Sequence, residues 1–232
     1  MTSTEGRHKV LAPAGDDEGM DPLHPDLARL EAALPSAAAH AIGVAADPAL
    51  VVLGTFTASG LLSEEPRRSL RWSALVLLLA AGLPYAVVAL LVRAGHVNDM
   101  HVVVREQRAV PLAVAAAGSS LAIGSLRYGG APREVTVLTT SLLTGLALMG
   151  AVSTRHKISF HVATATWSSA VLATRAGVPT ASVTLPASVA VGWARHRGGR
   201  HSLGQVLAGG AIGALLGAGT ARALRRPAVT GP

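Results

Sequence analysis

The chain has 232 residues, of which 50% are hydrophobic, 14% are charged and none is cysteine. Disulfides and cysteine-ligated metals are therefore excluded, and the positive mean hydropathy indicates a polytopic membrane protein. The net charge of +7 does not indicate a nucleic-acid partner, because the basic residues lie in short loops between apolar segments and form no continuous stripe. Membrane lipids are the expected partners, and a bacterial cell membrane is the expected location.

Three regions are predicted along the chain. Residues 1–35 are rich in Pro, Gly and Asp and lack the basic start and apolar core of a signal peptide, so we expect a disordered polar tail. Residues 36–222 form the predicted transmembrane helical domain, and residues 223–232 form a basic tail. The sequence does not predict an oligomeric state.

Seven apolar stretches predict an all-α transmembrane bundle of six to seven spans. Most of them approach the length of about 20 residues that crosses the hydrocarbon core. For the first stretch, a re-entrant or interfacial segment is the alternative interpretation. The stretches cover residues 48–63, 72–93, 110–127, 135–152, 158–174, 178–193 and 204–222. The last one carries small residues suited to close helix packing, namely Gly209, Gly210, Gly213, Gly217 and Gly219.

The loops fall into two groups that emerge on opposite sides of the membrane, because neighbouring loops are separated by one span. Loops 94–109, 153–157 and 194–203 are the histidine-rich loops, and loops 64–71, 128–134 and 175–177, which contain Arg, are the histidine-free loops. One mouth of the bundle is therefore predicted to gather imidazoles and guanidiniums. Six of the nine histidines lie in or beside the histidine-rich loops: His96, His101, His156, His161, His196 and His201.

The first histidine-rich loop belongs to the segment "NDMHVVVREQRAVPL". His101, Arg105 and Arg108 are spaced i, i+4, i+7, which places them on one stripe of a helix, and Asp99 precedes them. Cations beside apolar spans are also common interfacial anchors, which is the alternative interpretation of Arg105 taken alone.

The second histidine-rich loop leads into "TRHKISFHVATATW". Lys157, Ser159 and His161 lie at a predicted helix start, where free backbone amides, an ammonium, a hydroxyl and an imidazole can bind a phosphate. Ser159 could equally be a plain N-cap, and a lone His161 is more often a packed polar residue.

The third histidine-rich loop lies in "ARHRGGRHSLGQVLAGG". His201 and Gln205 are one helical turn apart, so the amide can fix the orientation of the imidazole. Arg195 can fold back across the Gly-Gly turn towards the same point. Because charged groups are costly inside a bilayer, three such segments on one side indicate a functional site.

The second and third segments resemble two signatures of the type 2 phosphatidic acid phosphatase superfamily, which includes lipid phosphatases and is related to vanadium haloperoxidases. Ser159 and His161 match the Ser and His of its Pro-Ser-Gly-His signature. Arg195, His201 and Gln205 match the spacing of its third signature, which ordinarily ends in Asp. The chain also resembles a divergent branch of the superfamily in which Gln takes that place.

The first signature of the superfamily, a Lys followed after six residues by Arg-Pro, is matched in part by His101 and Arg108. The resemblance covers about residues 48–222, in the right order. It implies an enzyme, an integral membrane phosphatase, that hydrolyses a lipid or polyprenyl phosphate through a phosphohistidine, without a metal or other cofactor.

The resemblance also implies a role for each candidate residue. His201 is the candidate nucleophile, and His161 is the candidate general acid. The implied phosphate-binding residues are Arg108, Lys157, Ser159 and Arg195, and the supporting residues are Asp99, His101, Arg105 and Gln205.

Two departures from the signatures affect the expected rate. Phe160 replaces a glycine and alters the backbone approach to phosphate. Gln205 can orient the attacking imidazole, but a neutral amide cannot stabilise its positive charge as a carboxylate does, so a slower enzyme is expected. We hypothesise that Asp99 partly supplies the missing charge.

Two other functions remain open on the residues alone. The chain could be a catalytically inactive relative that binds anionic lipid or a partner protein. It could also be a transporter or a metal-binding membrane protein that uses the six histidines, although its apolar stretches carry no carboxylate pairs of the kind that ion-coupled carriers use. The distribution of Arg and Lys does not decide which side of the membrane the site faces.

Overall fold

A computed structural model describes residues 36–96 and 109–226, without the side chains of residues 109–112. Within these ranges every regular element is a helix, which confirms the all-α prediction. The helices are α1 (Ser36–Ala45), α2 (Pro48–Leu61), α3 (Pro66–Leu77), a π-helical turn (Leu78–Gly82), α4 (Leu83–Arg93), α5 (Ala109–Tyr128), α6 (Arg133–Ser153), α7 (Phe160–Ala176), α8 (Val178–Arg197) and α9 (Leu203–Arg225). The predicted tail 1–35 lies outside the described residues, and α9 continues three residues into the predicted basic tail.

Helix α7 is the centre of the bundle. It packs most extensively against α9 and α8 and also against α2. Its Trp167 is buried, and the indole N–H donates to Ser141 Oγ at 3.0 Å and to Thr220 Oγ1 at 3.2 Å. These bonds satisfy the polar edge of a large apolar side chain, so α6, α7 and α9 are joined in the core.

The contact between α7 and α9 depends on glycines of α9. A Cβ at Gly209 would lie 2.5 Å from the Ser159 carbonyl oxygen, and a Cβ at Gly213 would collide with the Ala163 carbonyl. Gly209 and Gly213 are one helical turn apart and lie on the face that meets α7. The close approach of two backbones predicted for this helix is therefore confirmed, whereas Gly219 faces open space.

The histidine-free loops meet at one end of the bundle, as predicted. Arg175 in the last turn of α7 donates to the Ser59 carbonyl at 3.0 Å, and Ser69 of α3 donates to Glu134 of α6 at 2.5 Å. Arg133 donates to the last carbonyls of α9. The start of α3, the start of α6 and the ends of α2, α7 and α9 therefore lie together.

The predicted number of spans is not supported. By length and composition, three helices of the described residues could cross a membrane, namely Pro66–Arg93, Arg133–Ser153 and Leu203–Arg225. Helices α1 and α2, bent by 50° at their junction, make a fourth if the pair forms one span. The prediction counted every apolar stretch, but α7 has only 17 residues, and α8 contains polar residues along its length and ends in three basic ones.

Pro84 distorts Pro66–Arg93, the longest of the helices that could cross a membrane. Because proline has no N–H and disfavours the helical conformation before it, the preceding turn widens to a π-helix, in which the Leu83 N–H donates to the Leu78 carbonyl. Gly118 of α5 packs directly against the Leu79 carbonyl of this turn, where no side chain would fit. Helix α5 thus packs closely against the widened turn, which is how neighbouring helices accommodate a proline inside a membrane helix.

Candidate functional site

The second and third histidine-rich loops meet at the end of the bundle opposite the histidine-free loops. The Ser159 N–H, at the start of α7, donates to the Gln205 carbonyl in the first turn of α9 at 3.3 Å. Gly209 lets the two backbones approach just below this bond. The structure therefore brings together two of the three segments that the sequence pointed to.

His201 is held by its own chain. The Gly-Gly turn after α8, with Gly199 in the left-handed region at φ 65°, lets the His201 N–H donate to the Arg195 carbonyl at 3.1 Å. The imidazole Nδ1 lies 3.1 Å from Gln205 Oε1. An amide oxygen only accepts, so Nδ1 carries the proton and Nε2 keeps its lone pair. Gln205 thus fixes the tautomer that a nucleophile needs.

Two cavities open at this end of the bundle, and His161 lines both. The loop cavity, about 390 Å³, is lined by Lys157, His161 and His201 together with residues 153–155, Ile158 and Phe160. The α1 cavity, about 670 Å³, lies on the other side of His161. Its polar lining consists of Ser36, His40, Asp47, His161, Arg195 and Arg200.

His161 and His201 lose protons more readily than free histidine. Burial, together with the charges of Arg195 and His201, lowers the pKa of His161 to about 4, while Asp47 acts in the opposite direction. His161 lies in the first turn of α7, at the polar end of the bundle. Burial also lowers the pKa of His201, and the charges of Arg195 and Lys157 act in the same direction, whereas the hydrogen bond that His201 donates to Gln205 raises it. Positive groups thus crowd a partly buried space, an arrangement that favours an anion.

Arg195 turns towards α1. Its Nη1 would lie 3.6 Å from a Cβ at Gly43, so the guanidinium packs where α1 has no side chain. Its Nε is buried and has no hydrogen-bond partner among the described residues. A buried guanidinium N–H without an acceptor is costly, and a bound anion would provide one.

Ser159 does not reach either cavity. The residue is fully buried, and its hydroxyl has no hydrogen-bond partner within the described part of the chain. It occupies the N-cap position of α7 but makes no side-chain capping bond. In this geometry Ser159 is in contact with neither a phosphate-sized space nor the amides that a capping serine would bind.

The candidate residues of the first histidine-rich loop cannot be located in the structure. Asp99, His101, Arg105 and Arg108 lie outside the described residues, and their roles stay predictions. Within residues 36–96 and 109–226, no group of three or more His, Asp or Glu residues is arranged to hold a metal ion.

Three residues of the site were missed at the sequence level: His40, Asp47 and Arg200. Arg200 sits inside the third segment and could have been included. His40 and Asp47 lie more than 100 residues before His161, and no motif spacing connects them with it.

Comparison of the chain with protein-family models, with curated proteins and with solved structures finds no match.

Proposed function

We propose that the protein is an integral membrane phosphatase that hydrolyses a lipid or polyprenyl phosphate monoester or diphosphate. One observation carries this proposal: His161 stands between a cavity lined by Lys157 and His201 and a cavity lined by Arg195 and Arg200. Transfer of a phosphoryl group from a lipid requires a nucleophile, a general acid and cations that hold the phosphate. Two imidazoles in different environments, surrounded by cations at the mouth of an apolar bundle, provide these groups.

The proposed chemistry proceeds in two steps. His201 Nε2 attacks phosphorus and forms a phosphohistidine, while the bond from phosphorus to the ester oxygen breaks and His161 protonates the departing alcohol. Water then attacks the phosphohistidine, His161 takes a proton from that water, and His201 is released with inorganic phosphate. Lys157 holds the phosphate oxygens in the loop cavity, and Arg195, which lines the α1 cavity, adds positive charge beside both histidines. Burial is the main cause of the lowered pKa of His161, and the charges of Arg195 and His201 add to it. The negative charge of a bound substrate opposes the effect of these charges, so binding favours the acid form.

We also propose that α5, α7 and α8 cross the bilayer with the longer helices, which gives six to seven spans in a bacterial cell membrane. In α7 the crossing part begins at Val162, beyond the site. The alternation of helix ends supports this topology, because the histidine-free loops meet at one end and two histidine-rich loops at the other. Packing against neighbouring helices compensates for the proline and hydroxyls within α8.

Phosphate release from lipid phosphates tests the proposal. The purified full chain in detergent is incubated with phosphatidic acid and with a polyprenyl diphosphate. We expect His201→Ala to lose activity by about 10²–10⁴-fold. The matched control is His156→Ala, since His156 is exposed in a histidine-rich loop and lines neither cavity. Equal loss in both variants, or none in either, would contradict the assigned nucleophile.

A second candidate function is favoured by one observation. The partner of His201 Nδ1 is the neutral Gln205 amide, which gives no charge stabilisation to an attacking imidazole. An inactive relative that binds anionic lipid would need the cations alone. In that case wild type and His201→Ala would bind phosphatidic acid nanodiscs equally and release no phosphate, while Arg195→Ala would bind them less tightly.

A further inference from the structure

Helices α2 and α7 run parallel, side by side, with a fixed register. Thr55 Oγ1 and Ser168 Oγ are hydrogen-bonded at 2.6 Å in the buried interface, 113 residues apart along the chain. One end of the pair is fixed by Arg175, which donates to the Ser59 and Leu62 carbonyls at 3.0 Å, across 116 and 113 residues. A nearly constant offset means that each residue of α2 is level with the residue of α7 about 113 to 116 positions later.

The same register, continued to the other end, brings the start of α2 to the start of α7. Asp47 and His161 are 114 positions apart (161 − 47), which matches the offset of the bonded pairs. Ala46 and Val162, their immediate neighbours, belong to one buried apolar cluster. Asp47 and His161 also line the same α1 cavity. The register, the shared apolar cluster and the shared cavity therefore place this carboxylate and this imidazole at the same end of the α2–α7 pair, facing one cavity.

Local structure holds Asp47 at this point. It is the N-cap of α2, at the 50° bend between α1 and α2, and its Oδ1 accepts the Ala49 N–H at 2.9 Å. The carboxylate thus has one oxygen engaged with the helix start and a full negative charge in the cavity. Of the described residues that line the two cavities, Asp47 is the one acid.

We propose that Asp47 is a positioning residue of the site, whose carboxylate acts on the His161 imidazole across the α1 cavity and keeps it available as a proton donor. Its catalytic consequence rests on the proposed function, but the interaction itself does not. Asp47 acts through His161 and does not touch the phosphate. It thereby provides, from the start of α2 and outside the three sequence segments, a negative charge that Gln205 does not provide.

Basic groups line both cavities around His161. Arg195 and Arg200 lie at the end of α8 and in the turn that follows, His40 lies in α1, and Arg155, Lys157 and His201 line the loop cavity. Asp47 is the opposing charge, and it raises the pKa of His161 where Arg195 and His201 lower it. Removing that charge leaves the imidazole among cations only.

The test variant is Asp47→Asn. Asparagine caps a helix start as well as aspartate does, so the bond from the Ala49 N–H is retained and the charge alone is removed. The matched control is Glu64→Gln, which removes one negative charge from an exposed position at the opposite end of the bundle. Equal melting temperatures of the two variants would establish that neither disturbs the fold.

The first measurement is the histidine titration by NMR of the full chain in detergent, with the His161 signal assigned through His161→Gln. In Asp47→Asn we expect the pKa of His161 to fall by roughly half a unit to one unit, because an adjacent opposite charge has been removed. Glu64→Gln should leave it unchanged. An unchanged pKa in Asp47→Asn, or an equal shift in both variants, would overturn the interaction.

The second measurement is the pH profile of phosphate release. In Asp47→Asn the limb that requires protonated His161 should move to lower pH by the same amount as the NMR pKa, and the rate at neutral pH should fall by about three- to tenfold. A lower rate without a shifted limb would indicate a merely structural role and overturn the proposal. If the wild type releases no phosphate, the proposed function fails, and the NMR result still decides the interaction.

Discussion

At the scale of single residues, the side-chain oxygen of Gln205 accepts hydrogen bonds from two partners. Its Oε1 accepts the Ser202 N–H at 3.3 Å, which completes the capping box of α9, and it lies 3.1 Å from His201 Nδ1. The first turn of α9 and the orientation of the imidazole are therefore set together. A glutamate fits a capping box equally well, so the charge of this position can be changed without losing the cap.

Gln205→Glu should make the site more reactive. A carboxylate beside Nδ1 stabilises the imidazolium, so we expect the pKa of His201 to rise by about one unit and the rate of phosphate release to rise by about tenfold. NMR titration and the phosphate assay measure the two effects. A raised pKa without a faster reaction would show that attack by His201 does not limit the rate.

His161 should make stability depend on pH. Its pKa in the folded chain is lowered from 6.5 to about 4, so between these values the unfolded chain binds more protons. The contribution of neutral His161 to the free energy of unfolding is therefore fully present above about pH 6.5, and it is lost as the pH falls towards 4. Thermal unfolding in detergent should show this loss in the wild type and a weaker one in His161→Gln. A parallel decline in both would assign the effect to other groups.

The residues of the site were predictable where one segment carries the spacing. His201 and Gln205 are four positions apart, and a helical turn makes that contact whatever the rest of the fold does. Asp47 and His161 meet only because α2 and α7 run parallel, and no local pattern carries this information. The buried position of Ser159 was equally hidden, since it results from the close packing of Gly209 of α9 against this residue.

At the scale of elements, the α7–α9 contact offers a matched pair of glycines. A Cβ at Gly213 would collide with the Ala163 carbonyl, whereas a Cβ at Gly219 would meet nothing within 4 Å. Gly213→Ala should therefore destabilise the protein by about 1–3 kcal/mol through overpacking. Gly219→Ala should be neutral or slightly stabilising, because alanine favours a helix interior.

Unfolding of both variants in detergent would compare them directly. Since α7 carries His161 and α9 follows His201, we also expect Gly213→Ala to slow phosphate release and Gly219→Ala to leave it unchanged. If the two variants were equally stable, α7 and α9 could move apart to accommodate the extra methyl group without loss of stability, and this would contradict the close packing described above.

Helix positions were predicted well from the apolar stretches, and spans less well. Apolar periodicity reveals which residues are excluded from water but does not distinguish lipid from the interior of a bundle. Helix α7 illustrates this, because its Val162, Trp167 and Val171 are buried against protein. The longest span begins six residues earlier than predicted, at Pro66, since Arg67, Arg68 and Arg71 continue the helix beyond the apolar stretch.

At the scale of the whole molecule, the natural absence of cysteine allows a direct test of topology. Arg155→Cys and Arg197→Cys lie at the site end, and Glu64→Cys and Arg127→Cys lie at the opposite end. In intact cells, an impermeant maleimide should label one pair and not the other. Labelling of one member from each pair would contradict both the alternating topology and the bundle ends described here.

The parallel register of α2 and α7 also has a consequence for biogenesis. More than 100 residues separate Thr55 from Ser168, so α2 leaves the ribosome long before its partner is synthesised. Closing so long a loop is slow compared with forming neighbouring helix pairs. Helix α2 can pack on α3 at once, but the face that carries Thr55 lacks its partner until α7 is made. The contact between α2 and α7 is therefore a late event, and the site becomes complete only when synthesis is nearly finished.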